Sequence, residues 1–137
     1  MNVLNIERIF IDKVFAIKRH SISETISSKV RHIYDVYMLY QREDIQKFIN
    51  DKVFLKEIIS VTKESDKIYL TKRSNSYLYN PLLPYDFESW KNKLDDTVKR
   101  NYENLHKNLL FTNEKQDFSL ALEVLEKINC IFKDINE

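Results

Sequence analysis

The 137-residue chain contains no glycine at all. Glycine reaches left-handed backbone without a steric penalty, so two-residue hairpins of the Asn-Gly or Asp-Gly kind are excluded, and with them most β-rich folds. Phosphate-cradling loops also need glycine, because the backbone must approach the anion closely. A P-loop and a dinucleotide fingerprint are therefore excluded outright. Proline occurs only twice, at Pro81 and Pro84. A chain with so few helix breakers, 43% apolar and 31% charged, reads as all-α. We expect one helical domain over residues 1–137: a compact multi-helix bundle with a long irregular connection at about 64–85 and room for one short strand at Ile68–Thr71.

The apolar spacing marks out the helices. Ile6, Ile9, Phe10, Val14 and Ile17 define a first helix to about His20, capped by Asn5, with Lys18, Arg19 and His20 suited to its negative end. Ser21–Ser28 reads as a loop. A second helix, about Lys29–Gln41, is apolar around most of its circumference and is expected to be the central, buried one. A short helix at Glu43–Ile49 precedes one capped by Asp51 that ends near Lys63. Beyond it, Ser65, Asp66, Ser74, Asn75, Ser76, Asn80 and the prolines break the pattern, and Tyr69, Tyr77, Leu78 and Tyr79 are expected to pack the connection. Asp86 would cap a long helix to about Leu110, with Asp95, Lys99, Glu103 and Lys107 as an i,i+4 ladder. Asp117 would cap the last helix. Its Cys130, the only cysteine, reads as a small core residue; a lone cysteine points to a reducing compartment, the cytoplasm. No apolar run reaches the length of a membrane span.

Net charge is +1, so nothing global demands nucleic acid or an anionic membrane. Its distribution is uneven. Met1–His32 carries six Lys/Arg against three acids, and Glu114–Glu137 three lysines against six acids. An acidic ligand near the N-terminal helices fits this asymmetry, and so does a solvated surface.

One pair of charges does not fit a bland core. Lys13 lies four residues after Ile9 and four before Ile17, on the apolar stripe, and Asp35 lies inside the most apolar helix. An ionised group buried without a partner costs several kcal/mol, so each needs one. Either Lys13 snorkels to the rim while Asp35 pairs with Arg31 or His32 on its own helix, or the two helices pack so that ammonium and carboxylate share a cleft. In the second case the lysine is placed to bind phosphate as a point charge.

Arg8-Ile9-Phe10-Ile11-Asp12-Lys13, followed by Arg31-His32-Ile33-Tyr34-Asp35-Val36-Tyr37-Met38-Leu39, resembles the AbiEii-type nucleotidyltransferases, the toxins of type IV toxin–antitoxin systems. That family carries an Arg-x-Phe-x-Glu-Lys helix and then Arg-His-x-Tyr-Asp-Leu-Tyr; Asp12 stands where its glutamate is usual. Asn101-Tyr102-Glu103-Asn104-Leu105 and the stretch from Phe118 through Leu125 to Ile128-Asn129 are similar to its closing helices. The resemblance implies that Lys13 contacts a nucleoside triphosphate, with Arg31 and His32 beside it, and that Asp35 supports the site. It implies transfer of a nucleotide from an NTP, with magnesium bridging phosphate oxygens and tRNA as acceptor.

The family also opens with a Gly-Ser motif and an Asp-x-Asp pair, and this chain has neither. Asp95-Asp96 are adjacent, so on a helix their carboxylates point about 100° apart, and Glu64-Ser65-Asp66 lacks the preceding glycine. The sequence thus reads as the C-terminal, helical half of such an enzyme, inactive alone, with no metal ligands of its own and with NTP and Mg2+ expected only alongside the missing half, in cis or in trans. Two alternatives stand beside it. One is a standalone RNA-binding module using Arg19, Lys29 and Arg31 with an aromatic-basic segment of Tyr69, Lys72, Arg73, Tyr77 and Tyr79. The other is a protein-interaction module without catalysis.

Overall fold

Asn5 stands just ahead of the first apolar run, and its Oδ1 accepts the Arg8 N–H at 2.9 Å, so the first helix starts where the spacing predicts. In the computed structural model, which describes residues 5–71, 82, 84–105 and 116–135, the described elements are helical and no strand is found among them. They are α1 (Ile6–Ile22), a 3-10 turn (Ile26–Ser28), α2 (Arg31–Tyr40), α3 (Glu43–Asn50), α4 (Lys52–Thr71), α5 (Phe87–Trp90), a second 3-10 turn (Lys91–Lys93), α6 (Asp96–Glu103) and α7 (Phe118–Asp134).

The central helix is α1, not α2. Phe10, Ile11, Val14, Phe15 and Ile17 are at most 1% exposed, because α2, α3, α4 and α5 all pack around α1. Each such side chain contributes roughly 1.5–3 kcal/mol by leaving water. On α2 only Ile33 and Val36 are buried, and Met38 is 46% exposed. The reason is chemical: three of its apolar positions are Tyr34, Tyr37 and Tyr40, which pack against the core only partly buried, as suits side chains that carry a polar end. α1 also runs two residues past His20, where Ser21 is buried and its Oγ donates to the Ile17 carbonyl at 2.7 Å.

The absent glycine leaves a mark at the end of α1. The Thr25 N–H donates to the His20 carbonyl at 2.8 Å and the Glu24 N–H to the Ser21 carbonyl at 3.2 Å, the bonding pattern of a helix end closed by a left-handed residue. Glutamate fills that left-handed position, with φ 59° at Glu24.

α4 corrects the expected irregular stretch. Asp51 caps it, its Oδ1 accepting the Phe54 N–H at 3.2 Å, but the helix continues through Ser65 and Asp66 to Thr71. Residues 64–71 are therefore helical, and Ile68–Thr71 is not a strand. Nothing between Lys52 and Thr71 is glycine or proline, so Ser65 and Asp66 lower helix propensity without ending the helix. Tyr77, Leu78 and Tyr79, and the rest of the expected connection at 72–81 and 83, lie outside the described residues.

The long helix expected from Asp86 is broken. Asp86 takes φ 43° and its side chain caps nothing; the buried Asn129 of α7 instead accepts the Phe87 N–H, at 3.1 Å. The chain then turns at Leu94, and Asp95 starts α6 afresh by accepting the Val98 N–H at 3.1 Å. Asp95 is thus an N-cap rather than a rung of a helical ladder, and Lys107 lies outside the described residues. Around this turn an aromatic cluster closes the core: Tyr85 meets Phe15, Trp90 and Phe132 edge to face at 5.2–5.6 Å, and the Trp90 ring N–H donates to the Tyr85 carbonyl at 2.8 Å.

The last cap is as predicted, Asp117 Oδ1 accepting the Ser119 N–H at 3.0 Å. On α7 the inward residues are Phe118, Ala121, Val124, Leu125, Ile128, Asn129 and Phe132. Cys130 falls between two inward positions and is exposed, which corrects its reading as a core residue. Lys18 is also corrected: it is 5% exposed and its Nζ donates to the Pro84 carbonyl at 2.6 Å, tying the middle of the molecule to the segment before α5.

Candidate functional site

The periodicity of α1 brings Arg8, Asp12, Lys13, Ala16 and Arg19 onto one side, and the unbroken run of α4 brings Ser65, Asp66 and Tyr69 opposite them. Between the two helices lies an open cleft of about 500 Å³, to which α2 adds His32, a size in the range of small-molecule sites. Ala16 also lines it and adds little side-chain bulk. The α1 wall carries three permanent cations, with Arg8 held by Asp12 at 3.4 Å. The carboxyl of Asp66 is pushed above the usual carboxylate range by burial, an effect that Arg19 opposes and Asp12 reinforces.

At the edge of this cleft Lys13 Nζ lies 3.0 Å from Asp35 Oδ2, with the two side chains 30% and 22% exposed. The helices therefore pack so that ammonium and carboxylate meet. Asp35 also receives Arg31 from its own helix, Nε to Oδ1 at 3.5 Å. Both arrangements that the spacing allowed are thus realised together: Asp35 sits between a cross-helix cation and one a turn behind it. Of the residues singled out in the sequence, Lys13 and His32 line the cleft, Asp35 reaches it through Lys13, and Arg31 lies on the far side of Asp35, exposed.

His32 does not pair with Asp35. Its ring stacks on that of His20, centroids 5.5 Å apart and planes within 10°, and its Nδ1 is buried with no hydrogen-bond partner among the described residues. Burial lowers the His32 pKa, as do Lys13, Arg19 and Lys29, against the opposing effect of Asp35. His20 is lowered to about 4, by burial first and then by Arg19, His32 and Lys29. Both rings are neutral at neutral pH, so His32 presents an uncharged nitrogen among cations rather than a further positive charge.

Residues 1–124 match the model of the family described as "Nucleotidyl transferase AbiEii toxin, Type IV TA system". The chain belongs to the AbiEii family. No curated protein and no solved structure matches it. The AbiEii match spans α1 through the first turns of α7, and so includes both helices of the Lys13–Asp35 pair.

The resemblance also implies magnesium, and the residues described here do not form a holder for it. Among them no three His, Cys, Asp or Glu side chains cluster closely enough to bind a metal ion, and Asp35, the carboxylate of the pair, is already engaged by two cations. No helix among the described residues is long and apolar enough to cross a membrane.

Sequence reasoning missed the α4 wall. Ser65 and Asp66 look like loop residues in isolation, and only the persistence of the helix places them, with Tyr69 one turn on, across from Lys13. The signal available was the apolar period Leu55, Ile58, Ile59, Thr62, which runs into Asp66 without a breaker. Of the aromatic-basic segment, Tyr69 is half exposed on α4, and Lys72, Arg73, Tyr77 and Tyr79 lie outside the described residues.

Proposed function

We propose that this AbiEii family member is the helical portion of a nucleotidyltransferase, supplying an anion-binding wall to a composite site and inactive by itself. Lys13 takes the phosphates of a nucleoside triphosphate, Asp35 positions the Lys13 ammonium, and Arg31 and His32 complete its surroundings. A Gly-Ser and Asp-x-Asp segment, in cis or in trans, supplies the metal-holding carboxylates and the backbone cradle this chain lacks. The setting is a reducing one, the cytoplasm, and the acceptor is tRNA, approached over the basic end of α1 at Arg19 and the end of the first 3-10 turn at Lys29. The observation that carries this reading is the cross-helix pair itself: a lysine fixed at 3.0 Å from a carboxylate at the edge of a cleft whose same wall holds Arg8 and Arg19. A lysine serves phosphate as a compact point charge with rotatable donors, and a carboxylate partner limits its freedom before the anion arrives.

Titration of the 15N-labelled chain with inorganic tripolyphosphate tests this. Binding is expected to shift amides of α1 and α2 around Lys13, to weaken with added salt, and to be lost in Lys13→Ala. Asp35→Asn separates positioning from bulk charge. Removing a negative charge raises anion affinity if only the field matters, whereas a positioning role lowers it. Tripolyphosphate binding that ignores Lys13 would rule the proposal out.

A further inference from the structure

The cleft sets its cations opposite a carboxylate that none of them holds. Among the described residues lining it, Arg8, Lys13 and Arg19 are on α1, and the carboxylate on the facing α4 wall is Asp66. Asp12, on the α1 side, is held by Arg8. No described residue hydrogen-bonds to the Asp66 carboxyl or pairs with it, although Arg19 and Arg8 are near enough to act on its charge. It is also half-buried, so water only partly replaces the missing partner. An anion drawn in by the α1 cations therefore meets a second negative group. Two oxyanions reach hydrogen-bond distance only with a proton between them, and the resulting O–H···O⁻ bond is short and strong.

The geometry points to Asp66 as a selector for an oxyanion that carries a proton: a terminal phosphate lies along the α1 cations and shares its remaining proton with the Asp66 carboxyl. This rests on the proposal that the α1 wall binds the triphosphate, and it says which part of that ligand turns towards α4. A terminal phosphate gives up its last proton at about pH 6, so near neutral pH it can bring the shared proton with it. The bridging phosphates of a triphosphate carry none, and neither do the diester phosphates of an RNA strand or a sulfate ion. Against those, Asp66 either repels or must itself take up a proton. Burial raises the Asp66 carboxyl, against the effect of Arg19, and so brings its proton affinity nearer to that of a phosphate. The end of the triphosphate, and not an RNA backbone, is what the α4 wall admits.

Inorganic phosphate and sulfate, titrated by NMR into the 15N-labelled chain at about pH 6, where phosphate still carries protons, separate this from simple attraction. The two ions are alike in shape, but sulfate has the larger charge there and no proton. A cleft acting by its field alone binds sulfate more tightly. Proton sharing with Asp66 is expected to reverse that order, with phosphate about tenfold ahead, as one charge-assisted hydrogen bond can supply. Asp66→Asn keeps the shape and offers an amide donor in place of the carboxylate, so sulfate should gain and the preference should vanish. The order in the unsubstituted chain is decisive by itself, whatever the substitution does to folding. Asp12, Lys13, His32 and Tyr69 also line the cleft around Asp66, and at one pH both ions meet them in the same state. If tripolyphosphate binds through Lys13 but phosphate does not exceed sulfate, or if the preference survives Asp66→Asn, the inference is overturned and the anion wall stands. If tripolyphosphate binding does not depend on Lys13, both fail.

Discussion

The Lys13–Asp35 pair makes a stability prediction that its geometry sets within narrow limits. At 3.0 Å, and with an effective dielectric of about 20, the gross attraction is about 5–6 kcal/mol. Part of it offsets the desolvation of two side chains that remain 30% and 22% exposed. The net coupling should therefore fall between an exposed pair, at about 0–1 kcal/mol, and the roughly 3–5 kcal/mol lost on breaking a buried one. We expect about 1–2 kcal/mol from a double-mutant cycle of Lys13→Met and Asp35→Asn. The single changes should be unequal. Lys13→Met leaves Asp35 with Arg31 and places an apolar chain on an apolar stripe, whereas Asp35→Asn strands two cations at once. Urea unfolding followed by far-UV circular dichroism measures all four species, and unchanged m-values would show that only stability moved. Raising salt should shrink the coupling but not abolish it, because the pair is mostly covered. A coupling below about 0.3 kcal/mol at low salt, within the scatter of independent sites, would refute the reasoning: the two groups would then act separately and the cleft would have no preset lysine.

The stacked histidines predict an acid limb of stability. His20 has its folded pKa lowered to about 4 from an ordinary 6.5, so the unfolded chain binds the proton more readily; the stability it contributes is complete above about pH 6.5 and is lost as pH falls towards 4. Allowing for its partial exposure the loss is roughly 1–2 kcal/mol, and His20→Gln should flatten that part of the curve, as unfolding free energies measured across the window would show. Asp66, with its carboxyl raised by burial, acts in the opposite sense, so the His20→Gln difference rather than the raw profile is the quantity to compare. At the end of α1, Glu24→Gly should be neutral or stabilising by up to about 1 kcal/mol, since a left-handed glutamate is relieved and only an exposed contact with Lys93 at 3.3 Å is given up. Destabilisation by more than that in thermal melts would mean the turn is held by the Glu24 side chain.

Local chemistry was legible in the residues wherever it depends on neighbours in sequence. The lack of glycine and near lack of proline predicted helices throughout the described chain, and Asn5, Asp51 and Asp117 cap the helices they precede, because a cap needs only a side-chain oxygen and an N–H two or three residues on. Lys13 and Asp35 could be recognised as out of place from helical period alone. What period cannot tell is which side of a helix is covered, because that depends on what packs there. α1 is central because four helices surround it, whereas α2 spends its tyrosines at the rim; Cys130 points outward although its neighbours Ile128 and Phe132 point in. Asp86 and Asp95 carry the same capping chemistry, yet only Asp95 caps: Asp86 is left-handed, at φ 43°, rather than extended like Asp95, and the first N–H of α5 is taken by Asn129 of α7. The cleft belongs to the same class of fact. Residue spacing determined that a lysine and an aspartate each needed a partner. Only the docking of α2 and α4 against α1 decided that the partners are each other, and that Ser65, Asp66 and Tyr69 face them across a space large enough for a ligand, since contacts between residues tens of positions apart are set by the packing of whole helices and not by any local preference.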